Sequence, residues 1–147
     1  MHFCLLDRVL ELHEDRIVAI KHVSAAEEYL QDHFPSFPVL PGVMMLEAMV
    51  QAARRLVQTR SDHHPESPPL VLGEIRTLKY GAFVRPGASL RIEVAFVGQD
   101  DEQGRWRFKG SARVVEPNAA ASVAPPTAVS GQFCLRPVRV GPSPARA

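Results

Sequence analysis

Residues 32–53 read DHFPSFPVLPGVMMLEAMVQAA and hold two side chains able to move protons, His33 and Glu47, fourteen positions apart. An unperturbed imidazole titrates near neutrality, so a histidine held in place is suited to abstracting a proton. His33 precedes Phe34 in a connector with prolines at 35, 38 and 41, which restrict its backbone. Glu47 interrupts an apolar run, with Val43, Met44, Met45 and Leu46 before it and Ala48, Met49 and Val50 after it. Ionising a carboxylate among such neighbours costs on the order of several kcal/mol unless a cation or hydrogen-bond donors compensate. A carboxyl kept neutral there is a usable general acid. Plainer readings stand beside these: Glu47 faces solvent or a subunit contact, and His33 is an ordinary loop histidine. The third element is Pro41-Gly42-Val43 at a helix start, where the first N–H groups lack internal partners and glycine admits a ligand. Such a corner donates hydrogen bonds to a carbonyl gaining negative charge, though loop-to-helix junctions of this kind are common.

Several elements must position these groups. Residues 3–12 and 16–23 are rich in Val, Ile and Leu around a polar His13-Glu14-Asp15, which predicts a β-hairpin. Imperfect alternation in the second segment predicts a strand covered on part of both faces. Ser24 with Glu27 three places on has capping-box spacing and predicts a short helical turn. After the proline-rich connector, Val43 opens a helix expected to run to about Thr59, apolar nearly all round at first and basic at its end. A helix of that kind is buried, typically wrapped by a sheet. Strands are expected at 70–80, 89–98, 105–115 and 129–138, with turns at Arg85-Pro86-Gly87 and from Asp100 to Gly104. EPNAAASVAPPT, before the last strand, is expected to be a mobile hairpin tip, and residues 141–147 a disordered tail. The order predicts one α+β domain over residues 1–140, a single antiparallel sheet curled about one helix.

A chain of 147 residues with 46% apolar content can bury one core. Its longest apolar stretch contains Glu47 and falls short of the roughly 20 residues a bilayer span needs. The first twelve residues lack a basic leader, so a cytoplasmic location is expected. With 17 basic and 16 acidic residues, the overall charge does not point to nucleic acid or an anionic membrane. Cys4 and Cys134 have no zinc-ligand or CxxC spacing and are expected to be small buried hydrophobes. His63 and His64 sit in a solvated loop without further ligands, so no metal is expected.

The string from His33 to Ala52 closely resembles the active-site motif of the β-hydroxyacyl-acyl carrier protein dehydratases of the FabZ type, a pattern near HFPGxPVxPGVxxxEAxAQ. The matching residues are His33, Phe34, Pro35, Pro38, Val39, Pro41, Gly42, Val43, Glu47, Ala48, Gln51 and Ala52. Weaker likeness reaches residues 5–115, through the first hairpin and through LKYGAFVRPGASLRIEVAF. Glutamate at position 47 favours this branch over the related dehydratase–isomerases, which usually carry aspartate. The sequence departs from the pattern at Asp32, at Ser36 and after Pro86-Gly87, where the usual acidic residue is missing.

The resemblance implies a hot-dog fold and a homodimer, which in this family often assembles further into a trimer of dimers. Each site would combine His33 of one subunit with Glu47 of the other. His33 would take the α-proton of a 3-hydroxyacyl thioester on acyl carrier protein, and Glu47 would protonate or orient the departing hydroxyl. Gly42 and Val43 would hold the thioester carbonyl. No cofactor is required. Met44, Met45, Met49 and Phe83 are candidates for the acyl tunnel, and Arg54, Arg55, Lys79 and Arg85 for a basic collar that docks the acidic carrier protein. Two other functions use the same fold: an acyl thioesterase in which Glu47 activates water, and a catalytically weak acyl-binding subunit, which Asp32 and Ser36 would suit.

Overall fold

A computed structural model describes residues 3–60, 63–100, 102, 104–139 and 141. The expected tail, apart from Gly141, lies outside the described residues, as do Ser61 and Asp62 of the His63 loop and two residues of the Asp100–Gly104 turn. In chain order the elements are β1 (Arg8–Leu12), β2 (Arg16–His22), a 3-10 turn (Glu28–Leu30), α1 (Gly42–Gln58), β3 (Leu70–Tyr80), β4 (Ser89–Asp100), β5 (Arg105–Val115) and β6 (Thr127–Pro137). The six strands form one antiparallel sheet in the order β1-β2-β4-β5-β6-β3. Helix α1 packs on its inner face, as the α+β, hot-dog expectation requires.

Period-two alternation decides which face each strand offers. Along β5, Trp106, Phe108, Gly110, Ala112 and Val114 are buried toward α1, while Arg105, Arg107, Lys109 and Arg113 lie on the other side. Gly110 is required by packing: a β-carbon there would sit 2.8 Å from the Met49 sulfur, so the helix rests directly on the strand. Met49, Val50, Leu56 and Val57 of α1 are fully buried against Ile92, Val94 and Phe108, each worth about 1.5–3 kcal/mol of burial. In β2 consecutive Ile17, Val18 and Ala19 are all buried, so both faces are covered, as its broken alternation suggests. The Arg85-Pro86-Gly87 turn forms with Gly87 at φ +95°, a conformation that favours glycine.

Five expectations need correction. The first strand begins at Arg8 rather than residue 3. Residues 3–5 instead cross α1, where the Leu5 N–H donates to Gln51 Oε1 at 2.8 Å and Gln51 Nε2 donates to the Phe3 carbonyl at 3.0 Å. That crossing buries Leu5 and turns Cys4 outward, so Cys4 is exposed while Cys134 is buried as expected. No capping box forms at Ser24. The Glu27 carboxylate is drawn away by the buried Lys21 ammonium at 2.7 Å, and the turn that follows is 3-10. Helix α1 starts at Gly42, one residue early, with the Pro41 carbonyl accepting its first bonds, from the Met44 and Met45 N–H groups, and no side-chain cap. β4 runs two residues further, to Asp100, which pairs with Arg105, and β6 is shifted, starting two residues earlier at Thr127, which pairs with Arg113, and ending one earlier at Pro137. Among the described residues no helix is long and apolar enough to cross a membrane.

Candidate active site

The connector after the 3-10 turn is fixed at both ends. Val39, Leu40 and Pro41 are buried, and the Leu40 N–H donates to the Val84 carbonyl at 2.8 Å, tying the connector to the loop between β3 and β4. Before that anchor the backbone folds tightly, with the Phe37 N–H on the Phe34 carbonyl and the Val39 N–H on the His33 carbonyl. His33 is half-buried, and its Nδ1 lies 3.1 Å from the Val39 carbonyl oxygen. A carbonyl only accepts, so Nδ1 carries the proton and Nε2 keeps its lone pair. Asp32 is exposed, and the ring's hydrogen-bond partner is the Val39 carbonyl rather than that carboxylate.

At the helix start both the Met44 and Met45 N–H groups turn to the Pro41 carbonyl, at 2.9 and 3.2 Å. Among the described residues the Gly42 and Val43 N–H groups then have no backbone partner, which makes them free donors at the positive end of the helix. Gly42 is needed for close approach: a β-carbon there would meet Cε1 of Tyr80 at 2.7 Å and Cζ at 2.9 Å. Burial pushes the Tyr80 phenol above its ordinary value, so it stays a neutral hydroxyl in neutral solution.

Glu47 lies one turn further along α1, 35% exposed rather than sealed in the core. Its Oε1 accepts from Gln51 Nε2 at 3.1 Å and from Arg54 Nη1 at 3.2 Å, while Arg54 Nε donates to the Leu70 carbonyl at 2.8 Å. The cation and the donor that a carboxylate in this run requires are therefore both supplied by its own helix.

Other expected site residues are spread out. Met45 and Met49 are buried in the core, Met44 is half-buried against it, and Phe83 stands 63% exposed. Phe83 meets Phe37 edge-on at 5.7 Å, with the Arg85 guanidinium 4.9 Å above the Phe37 ring. Phe34, Phe37, Val43, Tyr80 and Phe83 are all exposed apolar groups. Arg54 spends its charge on Glu47, Arg55 is exposed, and Lys79 lines a depression of about 560 Å³ on the outer face of the sheet. Within one chain no hydrogen bond or ion pair among the described residues joins His33 to Glu47. Three depressions of about 460, 560 and 450 Å³ are lined by none of His33, Gly42, Glu47 or the four tunnel candidates. Among the described residues no group of three His, Cys, Asp or Glu could hold a metal ion.

Sequence reasoning missed three contacts: the Val39 carbonyl on His33, the Tyr80 ring over Gly42, and Arg54 on Glu47. Only the last left a signal, since Glu47, Gln51 and Arg54 fall at i, i+4 and i+7 on one helix face.

The FabA-like domain family matches residues 1–121. The 3-hydroxyacyl-[acyl-carrier-protein] dehydratase FabZ of Gluconobacter oxydans is 40% identical over 116 residues, covering 76% of this chain and 66% of its own length, just under two thirds. The FabZ of Geobacter metallireducens is 39% identical over 113 residues, 76% of this chain and 74% of its own. Among solved structures, the dehydratase heterocomplex ApeI:P from Xenorhabdus doucetiae aligns over 92% of this chain and 99% of that chain with a TM-score of 0.60; at 16% identity this likeness speaks for the fold alone. With the FabZ signature carried from His33 to Ala52 and this breadth of similarity around it, the chain belongs to the FabA-like family and, within it, to the FabZ-type 3-hydroxyacyl-[acyl-carrier-protein] dehydratases.

Proposed function

We propose that this protein removes water from a 3-hydroxyacyl thioester on acyl carrier protein to give the trans-2-enoyl thioester, with His33 as base, the Gly42 and Val43 amides as carbonyl donors, and Glu47 at the departing hydroxyl. The observation that carries the assignment of roles is the His33 ring, held at Nδ1 by the Val39 carbonyl so that Nε2 is the nitrogen with a lone pair. Nε2 takes the C2 proton, and the electron pair left on C2 is delocalised onto the thioester oxygen. Free N–H groups at the start of α1 stabilise that oxygen as its charge grows, an effect worth about 3–4 kcal/mol per donor in comparable sites. The pair then returns to form the C2–C3 double bond as the C3–O bond breaks beside the Glu47 carboxyl, and the hydroxyl takes up a proton in the site and leaves as water while His33 returns to its neutral state.

The site is completed by a second copy of the chain. Within one copy no hydrogen bond or ion pair among the described residues joins His33 to Glu47, and β3 is a sheet edge with only β6 beside it. Pairing β3 with its symmetry mate satisfies that edge and covers exposed Ile75 and Tyr80. It brings the acid of one subunit toward the base of the other. Carrier docking falls to cations at the rim, Arg85 foremost, since it already stands over Phe37 beside the His33 connector.

Incubating the purified protein with a 3-hydroxyacyl carrier protein and following the enoyl product by mass spectrometry tests the reading. Product should form with the wild type and be lost with His33→Ala. Equal rates for the two would remove His33 as base, and free thiol in place of enoyl product would assign a thioesterase.

A further inference from the structure

We infer that Arg54 is a positioning residue that holds Glu47 in the ionised form, so that Glu47 orients the leaving hydroxyl as an acceptor and the proton that departs with it is the one His33 removed from C2. The inference rests on the dehydratase reading and deepens it. Three observations lead to it. First, Glu47 Oε1 is fully engaged by Arg54 Nη1 and Gln51 Nε2, both of them donors, which is the environment of a carboxylate rather than of a carboxylic acid. Second, Arg54 does not swing freely, because its Nε is tied to the Leu70 carbonyl at the start of β3. The fork therefore arrives at Glu47 from a fixed direction. Third, Glu47 Oε2 accepts no hydrogen bond among the described residues and the side chain is 35% exposed, which leaves that oxygen to receive the substrate hydroxyl.

Among the described residues, the contacts of this part of the helix offer no competing acid. The N-terminal segment meets this part of the helix through the Phe3 carbonyl and the Leu5 N–H, which are neutral, and β3 through the Leu70 carbonyl. His63 lines the same depression as Arg54, about 450 Å³ in volume, which Glu47 does not line. Arg54 is the cation paired with Glu47.

The step balances without a proton from Glu47. The C2–H bond breaks and an Nε2–H bond forms on His33; the substrate hydroxyl donates its own hydrogen to Glu47 Oε2. As the C3–O bond breaks, the imidazolium returns its proton to that oxygen. Water leaves, His33 is neutral again and Glu47 is unchanged. If Glu47 were instead the proton donor, an arginine on its carboxylate would work against it.

The two roles predict opposite signs for the loss of Arg54. The comparison is kcat, KM and the pH profile of the wild type, Arg54→Met and Arg54→Lys, all as full-length protein. For a carboxylate held for use, Arg54→Met should lower kcat about tenfold with KM within about twofold, the loss of one charge-assisted hydrogen bond. Arg54→Lys should restore part of it, and guanidinium ion added to Arg54→Met should restore more than ammonium does. The wild-type kcat should rise with pH and then stay level. An alkaline fall in the wild type, or a higher kcat at neutral pH in Arg54→Met, overturns the inference by showing that Glu47 must be protonated. A crystal structure of Arg54→Met gives a second readout that needs no turnover: the Glu47 carboxylate should leave the orientation it holds on Arg54 Nη1, and an unchanged carboxylate overturns the coupling. Should the wild type form no enoyl product, the dehydratase reading fails while the hold of Arg54 on Glu47 is still decided by that structure.

Discussion

The base proposed at His33 would owe its orientation to one carbonyl. Because Val39 O takes the Nδ1 proton, the ring cannot rotate its basic nitrogen into the protein without losing that bond. His33→Ala should lower kcat/KM by about 10²–10⁴-fold, the usual contribution of a positioned base, with no change in melting temperature beyond about 2 °C. His33→Gln fills the same space without a base and should be equally inactive, measured in the same enoyl-product assay. Gly42 is the second residue whose neighbours define it. Gly42→Ala places a methyl group against the Tyr80 ring, but that ring is half-exposed and can swing away, so the cost in stability should stay near 1 kcal/mol. The methyl and the displaced ring would crowd the free N–H, and kcat should fall about tenfold to a hundredfold. The double variant Gly42→Ala/Tyr80→Ala should regain the lost stability, read by thermal melting, while activity stays low. His33, Gly42 and Glu47 were legible as residues because their spacing around a proline-rich connector is unusual. Their partners were not, because Val39 O, Tyr80 and Leu70 O are placed by contacts between segments that no local pattern records.

At the scale of elements, α1 is both the core and the support of the site, and Gln51 shows how the two uses are joined. One side chain receives the Leu5 N–H, donates to the Phe3 carbonyl and donates to Glu47. Gln51→Ala should cost about 1–2 kcal/mol, a drop of roughly 2–8 °C in melting temperature, because a backbone donor and acceptor lose their partner. It should also reduce kcat, since Glu47 then keeps Arg54 alone. Five of the elements could be read from periodicity nearly to the residue: α1 and four long strands carry enough alternation or apolar faces to fix their type. The hairpin start could not. Phe3 to Leu6 have the composition of a strand, yet the helix outbids a sheet neighbour for them through Gln51. The capping box failed for a similar reason, since Lys21, buried in β2, needs the Glu27 carboxylate more than a solvent-facing turn does.

For the whole molecule, the question raised by the proposed shared site is whether two copies meet across β3. The outline of the fold followed from the order of elements, but a site shared between subunits leaves no trace in the periodicity of one chain. If the acid and base come from different copies, mixing His33→Ala with Glu47→Gln after subunit exchange should recover activity from two dead proteins, up to about a quarter of the wild-type rate. Half of the dimers are then mixed, and each carries one intact site out of two. No recovery under conditions where exchange is seen by native mass spectrometry would place both residues in one chain's site. A charge at the sheet edge, Ile75→Lys, should shift sedimentation toward monomer and take activity with it.

The clasp that Gln51 makes around residues 3–5 reaches beyond stability. Any fusion partner attached ahead of Phe3 pulls, through two hydrogen bonds, on the same amide that steadies the carboxylate. A label placed at that end is thereby wired to the reaction centre, and a drag on the leading segment would be felt as slower chemistry before it was seen as unfolding.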